Sequence, residues 1–227
     1  MLMATLYIVA TPIGNLADIS LRALDVLRSV DVILCEDTRV TKKLLDRHHI
    51  KKPLLSYHQH SALRRLEEIA ELLQSGKNIA LVSDAGTPGI SDPGGKLINW
   101  LTRKLTNSLN SLTITPVPGP NAAIAALSVA GFPADAVTFL GFPPTKKGRE
   151  TFFRELLTKR ETVVFYESPY RVKKTLERLA ALMPERELVV LRELTKQFET
   201  IYRGKAREIL ERIRLQGEFV VVISPKS

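Results

Sequence analysis

The residues of this 227-residue chain best placed for chemistry are carboxylates that follow short apolar runs. Glu36 and Asp37 come directly after Asp31 to Cys35 (DVILC), and Glu193 follows Glu187 to Leu191 (ELVVL) with one arginine between. If those runs are parallel strands, the carboxylates stand at the strand ends, where open α/β sheets receive their ligands. A carboxylate there can take a proton from a weakly acidic nucleophile or orient a cation. Salt bridging between loops explains any one of Glu36, Asp37 and Glu193 equally well, so catalysis and ion pairing stay side by side as readings. Thr38 either caps the helix that begins here or joins the cluster. Arg39 is poorly placed for a helix start unless an anion holds it, and so suits a phosphate.

A second stretch with chemical potential is Leu81 to Gly95, LVSDAGTPGISDPGG. Ile79 to Val82 reads as a buried parallel strand. Ala85-Gly86-Thr87-Pro88-Gly89 then breaks regular structure, and Asp92-Pro93 has the form of a cap and first turn for a helix through Lys96 to Lys104. A strand-to-helix connection of this length exceeds the usual two to six residues, which favours function over simple connection. Glycines let a ligand approach the backbone, and Asp84, Thr87, Ser91 and Asp92 offer polar contacts.

The remaining elements arrange these residues. Leu6 to Ala10 predicts a first strand, broken by Thr11-Pro12-Ile13-Gly14-Asn15. That turn is no GxGxxG fingerprint, and no GxxxxGK[ST] phosphate loop occurs anywhere in the chain. Ser20 caps a helix bearing Leu21, Leu24 and Leu27. Pro53 to Ser56 predicts a short strand, Ser61 caps a helix ending at Gly76, Thr106 to Ser111 forms a polar turn, and Leu112 to Val117 is a fifth strand. The first half therefore reads βαβαβαβαβ, a doubly wound parallel sheet. Pro116-Val117-Pro118-Gly119-Pro120-Asn121 changes the texture, which places a domain boundary between residues 1–116 and 117–227. Both parts are α/β. In the second, strands are expected at Val137 to Phe142, Thr162 to Tyr166, Glu187 to Leu191, Phe198 to Tyr202 and Phe219 to Ile223. An Ala-rich helix spans Ala122 to Ala130, with Asn121 as its cap or, with Gly119 and Ala122, a ligand contact.

Charge supplies the partner class. The chain carries a net charge of +9, with the second part more basic than the first, which fits a polyanionic partner or, equally on charge alone, a generally basic surface. The loop Pro143-Pro144-Thr145-Lys146-Lys147-Gly148-Arg149, flanked by Phe142, Phe152 and Phe153, suits a phosphate backbone; a solvated turn is the plainer alternative. A single cysteine, Cys35, excludes an internal disulfide. All four histidines fall between His48 and His60 without a matching ligand set, so no metal is expected, while His58 or His60 can face a substrate. The N-terminus lacks signal-peptide features and no apolar run approaches a membrane span, which is consistent with a cytoplasmic protein.

Taken in order, LYIVATPIGNLADIS, CEDTR, SDAGTPGISDPG, VPGPNAAIAAL, FYESPYR, RELTKQFE and GEFVVVI resemble the tetrapyrrole methylase superfamily of S-adenosylmethionine (SAM) enzymes, and within it the branch that methylates ribosomal RNA. The resemblance covers nearly the whole chain. It implies two α/β domains with SAM in a cleft between them, a homodimer, and 2′-O-methylation of a cytidine ribose in the decoding region of 16S rRNA within the small ribosomal subunit. It also implies cofactor contacts from Pro12 and Ile13, from Asp84, Ala85, Gly86, Thr87 and Ile90, and from Gly119, Asn121 and Ala122, with Tyr166 and Glu167 closing the pocket. Lys146, Lys147, Arg149 and Arg39 would then meet RNA phosphates. Gly86-Thr87-Pro88 stands where the superfamily has Gly-Asp-Pro, which separates the chain from porphyrin methylases. Two rival readings remain, a methylase of a small macrocycle and a non-catalytic RNA-binding module.

Overall fold

The computed structural model describes residues 4–58, 61–105 and 112–226. His60 and the Thr106 to Ser111 turn lie outside them. The chain divides into two compact units, residues 1–121 and 122–227. The first unit extends past Pro116 because the segment after the fifth strand stays pinned to it. The Ala10 N–H donates to the Val117 carbonyl at 3.2 Å, and the Thr87 hydroxyl donates to the Pro120 carbonyl at 3.2 Å.

Five parallel strands form the first unit: β1 (Thr5–Val9), β2 (Val32–Cys35), β3 (Leu54–Ser56), β4 (Ile79–Leu81) and β5 (Thr113–Val117). Their spatial order is β3-β2-β4-β1-β5. The central strands β2 and β4 are apolar and buried on both sides because both faces of the sheet are covered, while the edge strands β3 and β5 are less buried. Helices α1 (Leu21–Ser29) and α2 (Thr38–Arg47) bury Leu24, Leu27, Leu44 and Leu45 against Val9, Ile33, Cys35 and Ala80. Helices α3 (Leu63–Gln74) and α4 (Gly95–Leu105) bury Ile69, Leu73, Leu97 and Leu101 against Leu6, Leu34, Ile79 and Leu81 on the other face. The central strand β4 is therefore followed by a helix on one face, while its neighbours β1 and β2 send theirs to the opposite face. That divergence opens a crevice at the carboxyl ends of these three strands, the topological switch point of a doubly wound sheet.

Three local expectations are corrected. Helix α4 begins at Gly95, so Asp92 and Pro93 belong to the preceding loop. Gly94 sits at φ +150°, and a Cβ there would lie 3.1 Å from the Gly89 nitrogen, so the chain folds back on itself before the helix can start. Asp37, not Thr38, caps α2, its carboxylate accepting from the Arg39 N–H at 2.8 Å. Ser61 does not cap α3; its hydroxyl accepts from the His58 N–H at 2.8 Å, and the cap residue is Ala62.

The second unit begins with α5 (Ala122–Ala130) and holds a mixed sheet ordered β6-β7-β10-β8-β9. Its strands are β6 (Val137–Phe139), β7 (Thr162–Glu167), β8 (Glu187–Arg192), β9 (Thr200–Lys205) and β10 (Phe219–Ile223). Only β6 and β7 run parallel; β10 is antiparallel to both neighbours, as is β9 to β8. Ala123, Ala126 and Ala130 of α5 lie against Val164, Val189 and Val222, small side chains bringing the helix close to the sheet. The other face is covered by α6 (Arg149–Thr158), α7 (Val172–Leu182) and α8 (Ala206–Leu210), through residues such as Phe153, Leu156, Leu176 and Ile209 packed on Phe165 and Val221. Strand β9 starts at Thr200 rather than Phe198. The chain before it coils through left-handed Glu193 and Thr195 (φ 54° and 64°), and Arg192 Nη1 takes the Phe198 carbonyl at 2.9 Å.

Candidate active site

The crevice in the first unit is closed at its base by a two-way backbone bridge between the loops after β1 and β4. The Thr11 N–H donates to the Gly86 carbonyl at 2.8 Å, and the Gly86 N–H returns a bond to the Thr11 carbonyl at 3.1 Å. The buried Thr11 hydroxyl also donates to the Ser83 carbonyl at 3.0 Å. Gly86 must sit at φ +83°, which strains any side chain, and a Cβ there would meet Ile13 Cγ2 at 3.4 Å. At Gly119 a Cβ would come within 3.0 Å of the Ala10 Cβ. Strand order β4-β1-β5 thus brings Pro12 and Ile13, Asp84 to Thr87, and Gly119 to Asn121 onto one rim. Pro12 and Ile13 are buried beneath it; Asp84, Ala85 and Ile90 are exposed on it.

The carboxylates separate by environment. The Asp37 N–H donates to Asp84 Oδ1 at 3.0 Å, joining the β2 end to the β4 loop. The Asp37 carboxylate itself is gripped by Arg39, Nε to Oδ1 at 3.0 Å and Nη2 to Oδ2 at 2.6 Å. Those side-chain bonds, with the capped N–H, hold its carboxyl far below the usual range. They also name the anion that keeps Arg39 at a helix start, while the guanidinium remains largely exposed. Glu36 behaves oppositely: burial, then the Asp84 charge, pushes it up, with His58 nearby opposing. Asp92 is raised as well. Burial, with Glu36 and Asp84 adding repulsion against a hydrogen bond from Ser83, raises it from 3.8 to about 6. Asp92 was legible in the sequence as a helix cap or as a polar contact of the loop, not as a titrating group. Once Gly94 delays the helix, its carboxyl is left among Ser83, Glu36 and Asp84, and nothing in the local sequence pattern signals that.

In the second unit Glu193 is an ion-pairing residue. Its Oε1 accepts from the Glu218 N–H at 2.8 Å and from Lys196 Nζ at 3.1 Å. Burial pushes its carboxyl up, but the Glu218 N–H, Lys196 and Arg192 outweigh that and hold it below the ordinary value. Ala122 opens α5, and Tyr166 of β7 packs its ring against Phe139 and Phe142 at 5.2 and 5.3 Å. Glu167 turns inward with its side chain fully buried, and Arg149, the third cation of the basic loop, is paired with it at 3.6 Å. Lys146 and Lys147 are exposed. Among the described residues no group of three or more His, Cys, Asp or Glu is placed to hold a metal, and no helix is long and apolar enough to cross a membrane.

Because the folded chain binds the Asp92 proton more tightly than the unfolded chain, stability falls as pH rises from about 4 to about 6 and then levels off. Asp92→Asn removes this dependence. Between pH 4 and pH 7 the native protein should lose stability relative to the variant, on the order of 1 kcal/mol after solvent screening at a half-exposed site. Urea unfolding at a series of pH values reads it; a stability difference that does not change with pH contradicts the assignment.

Comparison with known proteins agrees with the geometry. Residues 5–210 match the model of the tetrapyrrole (corrin/porphyrin) methylases. The chain is 43% identical over 227 residues to the ribosomal RNA small subunit methyltransferase I of Thermotoga maritima, covering 99% of this chain and 100% of that protein. It is 44% identical over 225 residues to the protein of that name from Bacillus subtilis, covering 97% of this chain and 75% of the relative. Among solved structures, a cobalt precorrin-4 methyltransferase superposes with a TM-score of 0.71 at 19% identity, over 97% of this chain and 94% of the other, a likeness of fold. The chain belongs to the tetrapyrrole methylase family and, within it, to the ribosomal RNA small subunit methyltransferase I group.

Proposed function

We propose that the protein is a SAM-dependent methyltransferase that modifies the ribose 2′-oxygen of a cytidine in the decoding region of 16S rRNA. The near-full-length identity to ribosomal RNA small subunit methyltransferase I proteins carries this reading. When bound, SAM supplies an electrophilic methyl group on a sulfonium centre. The residues of the rim fit such a ligand. Gly86 permits the turn that shapes the rim, Gly119 is exposed on it, Ile90 gives apolar surface, and Asp84 offers a carboxylate for hydroxyl or ammonium groups. Pro12, Ala85, Thr87 and Asn121 complete the set on the first unit.

Alignment of the ribose oxygen with the methyl supplies much of the rate in an in-line displacement. The 2′-hydroxyl must also lose its proton, and a positioned base contributes roughly 10²- to 10⁴-fold. Asp37 and Glu193 are weak proton acceptors, since their partners hold them ionised. Asp92, with Glu36 beside it, is the better base, because its proton affinity lies nearer neutral pH. Lys146 and Lys147 meet RNA phosphates, with Arg39 as a further candidate on the first unit. The protein acts in the cytoplasm as a homodimer, for which Val129 on α5 adds exposed apolar surface.

The test is nucleoside mass spectrometry of small ribosomal subunits treated with the protein and SAM. A methylcytidine carrying its label on the ribose is expected; methyl on a base, or none on RNA, overturns the reading. Asp92→Asn should lower turnover about a hundredfold, with SAM and RNA affinities kept, and should remove the rise in kcat near pH 6. An unchanged pH profile would leave alignment alone to account for the rate.

A further inference from the structure

Glu167 ends β7 with its side chain wholly removed from water. A carboxylate in that position must be both paired and hydrogen-bonded. Its Oε1 accepts from the Ser168 N–H at 2.8 Å and is ion-paired with Arg171, whose Nε lies 3.0 Å away and donates to the Ser168 hydroxyl. Its Oε2 accepts from the Thr175 hydroxyl at 2.6 Å and faces Arg149 Nη2 at 3.6 Å. Arg149 Nη2 in turn donates to the Thr175 oxygen at 2.7 Å, and its guanidinium lies 5.2 Å from the Phe153 ring. One buried carboxylate thereby fixes two arginines.

One further donor of each arginine goes to one short segment. Arg171 Nη1 donates to the Pro143 carbonyl at 2.8 Å, and Arg149 Nη1 to the Pro144 carbonyl at 3.2 Å. Two consecutive prolines have no N–H, so carbonyls are the only backbone groups by which this stretch can be tethered. Its far end is set by Gly148 at φ +87°, directly before α6. Thr145, Lys146 and Lys147 are left exposed between two fixed points, and neither lysine pairs with an acidic group among the described residues.

We propose that Glu167 is a positioning residue for RNA: through Arg149 and Arg171 it holds the Pro143 to Gly148 loop in the one shape that presents Lys146 and Lys147 together to a phosphate backbone. Arg149 serves the loop from inside rather than meeting RNA itself. Holding the loop in advance spares RNA binding the cost of ordering it. The inference rests on the RNA reading above.

Binding of unmethylated small ribosomal subunits, measured across a salt series, tests it on four proteins: the native chain, Glu167→Gln, Arg171→Lys, and the Lys146→Ala/Lys147→Ala pair. Arg171→Lys keeps the charge but lacks the fork that spans Glu167 and Pro143, and so guards against Glu167→Gln failing to fold. The lysine pair should lower the salt slope by about two, and each clamp variant should weaken binding about tenfold, with SAM affinity unchanged. Clamp and lysine variants combined should lose no more than the lysine pair alone. If the lysine pair leaves affinity and slope unchanged, the RNA reading of the loop falls, and the clamp with it. If the lysines matter but a folded clamp variant binds normally, or its loss adds fully to theirs, the clamp alone is overturned. Lost SAM affinity in Glu167→Gln would also overturn it by assigning Glu167 to the cofactor.

Discussion

The reciprocal backbone pair between Thr11 and Gly86 is the constraint on which the site in the first unit depends. It joins the loops after two adjacent parallel strands just beyond the point where regular pairing stops. β1 and β4 send their helices to opposite faces, so without the bridge these loops would part where the crevice opens. Buried Thr11 and Ser83 hydroxyls reinforce it, both donating to carbonyls of the β4 loop. The left-handed turn that Gly86 needs is compatible with no bulky residue. A glycine, a threonine and a strand order together leave bare backbone on one side and three carboxylates, Glu36, Asp84 and Asp92, on the other.

Those carboxylates show how one acidic rim produces groups of opposite character. Asp37 and Asp92 are the same side chain at neighbouring strand ends. Asp37 is claimed by Arg39 and by a helix start, and it stays ionised. Asp92 is buried beside a serine and two like charges, and it holds its proton to about pH 6. The second unit uses the same chemistry for architecture. Glu193 and Glu167 are both paired with cations, one tying the β8 end to Glu218 through Lys196, the other tethering the basic loop.

Much of this was legible in the sequence. Apolar runs of four or five residues ending in Gly, Pro or acidic residues gave the strands of the first sheet, because a parallel sheet covered on both faces leaves no alternation to misread. The crevice loops followed from where those runs stop. Long-range geometry was not legible. Gly94 approaches Gly89 and delays α4, which turns Asp92 from a cap into a titrating group. Arg149 looks like its two lysine neighbours in a row of letters, yet its partner Glu167 is eighteen positions away and meets it only when β7 and α6 pack. Glu193 could be an ion pair or a base until Lys196 and Glu218 were seen around it.

The central claim is that the Thr11–Gly86 rim holds the methyl donor. Hydrogen exchange of the whole protein with and without SAM tests it most directly, since a ligand on that rim must slow opening of the loops it touches. Protection is expected in peptides covering residues 10–15, 83–92 and 117–121, with β9 unchanged as an internal reference. Saturating SAM that leaves those three segments exchanging at their original rates, or that protects a different surface, would contradict the account.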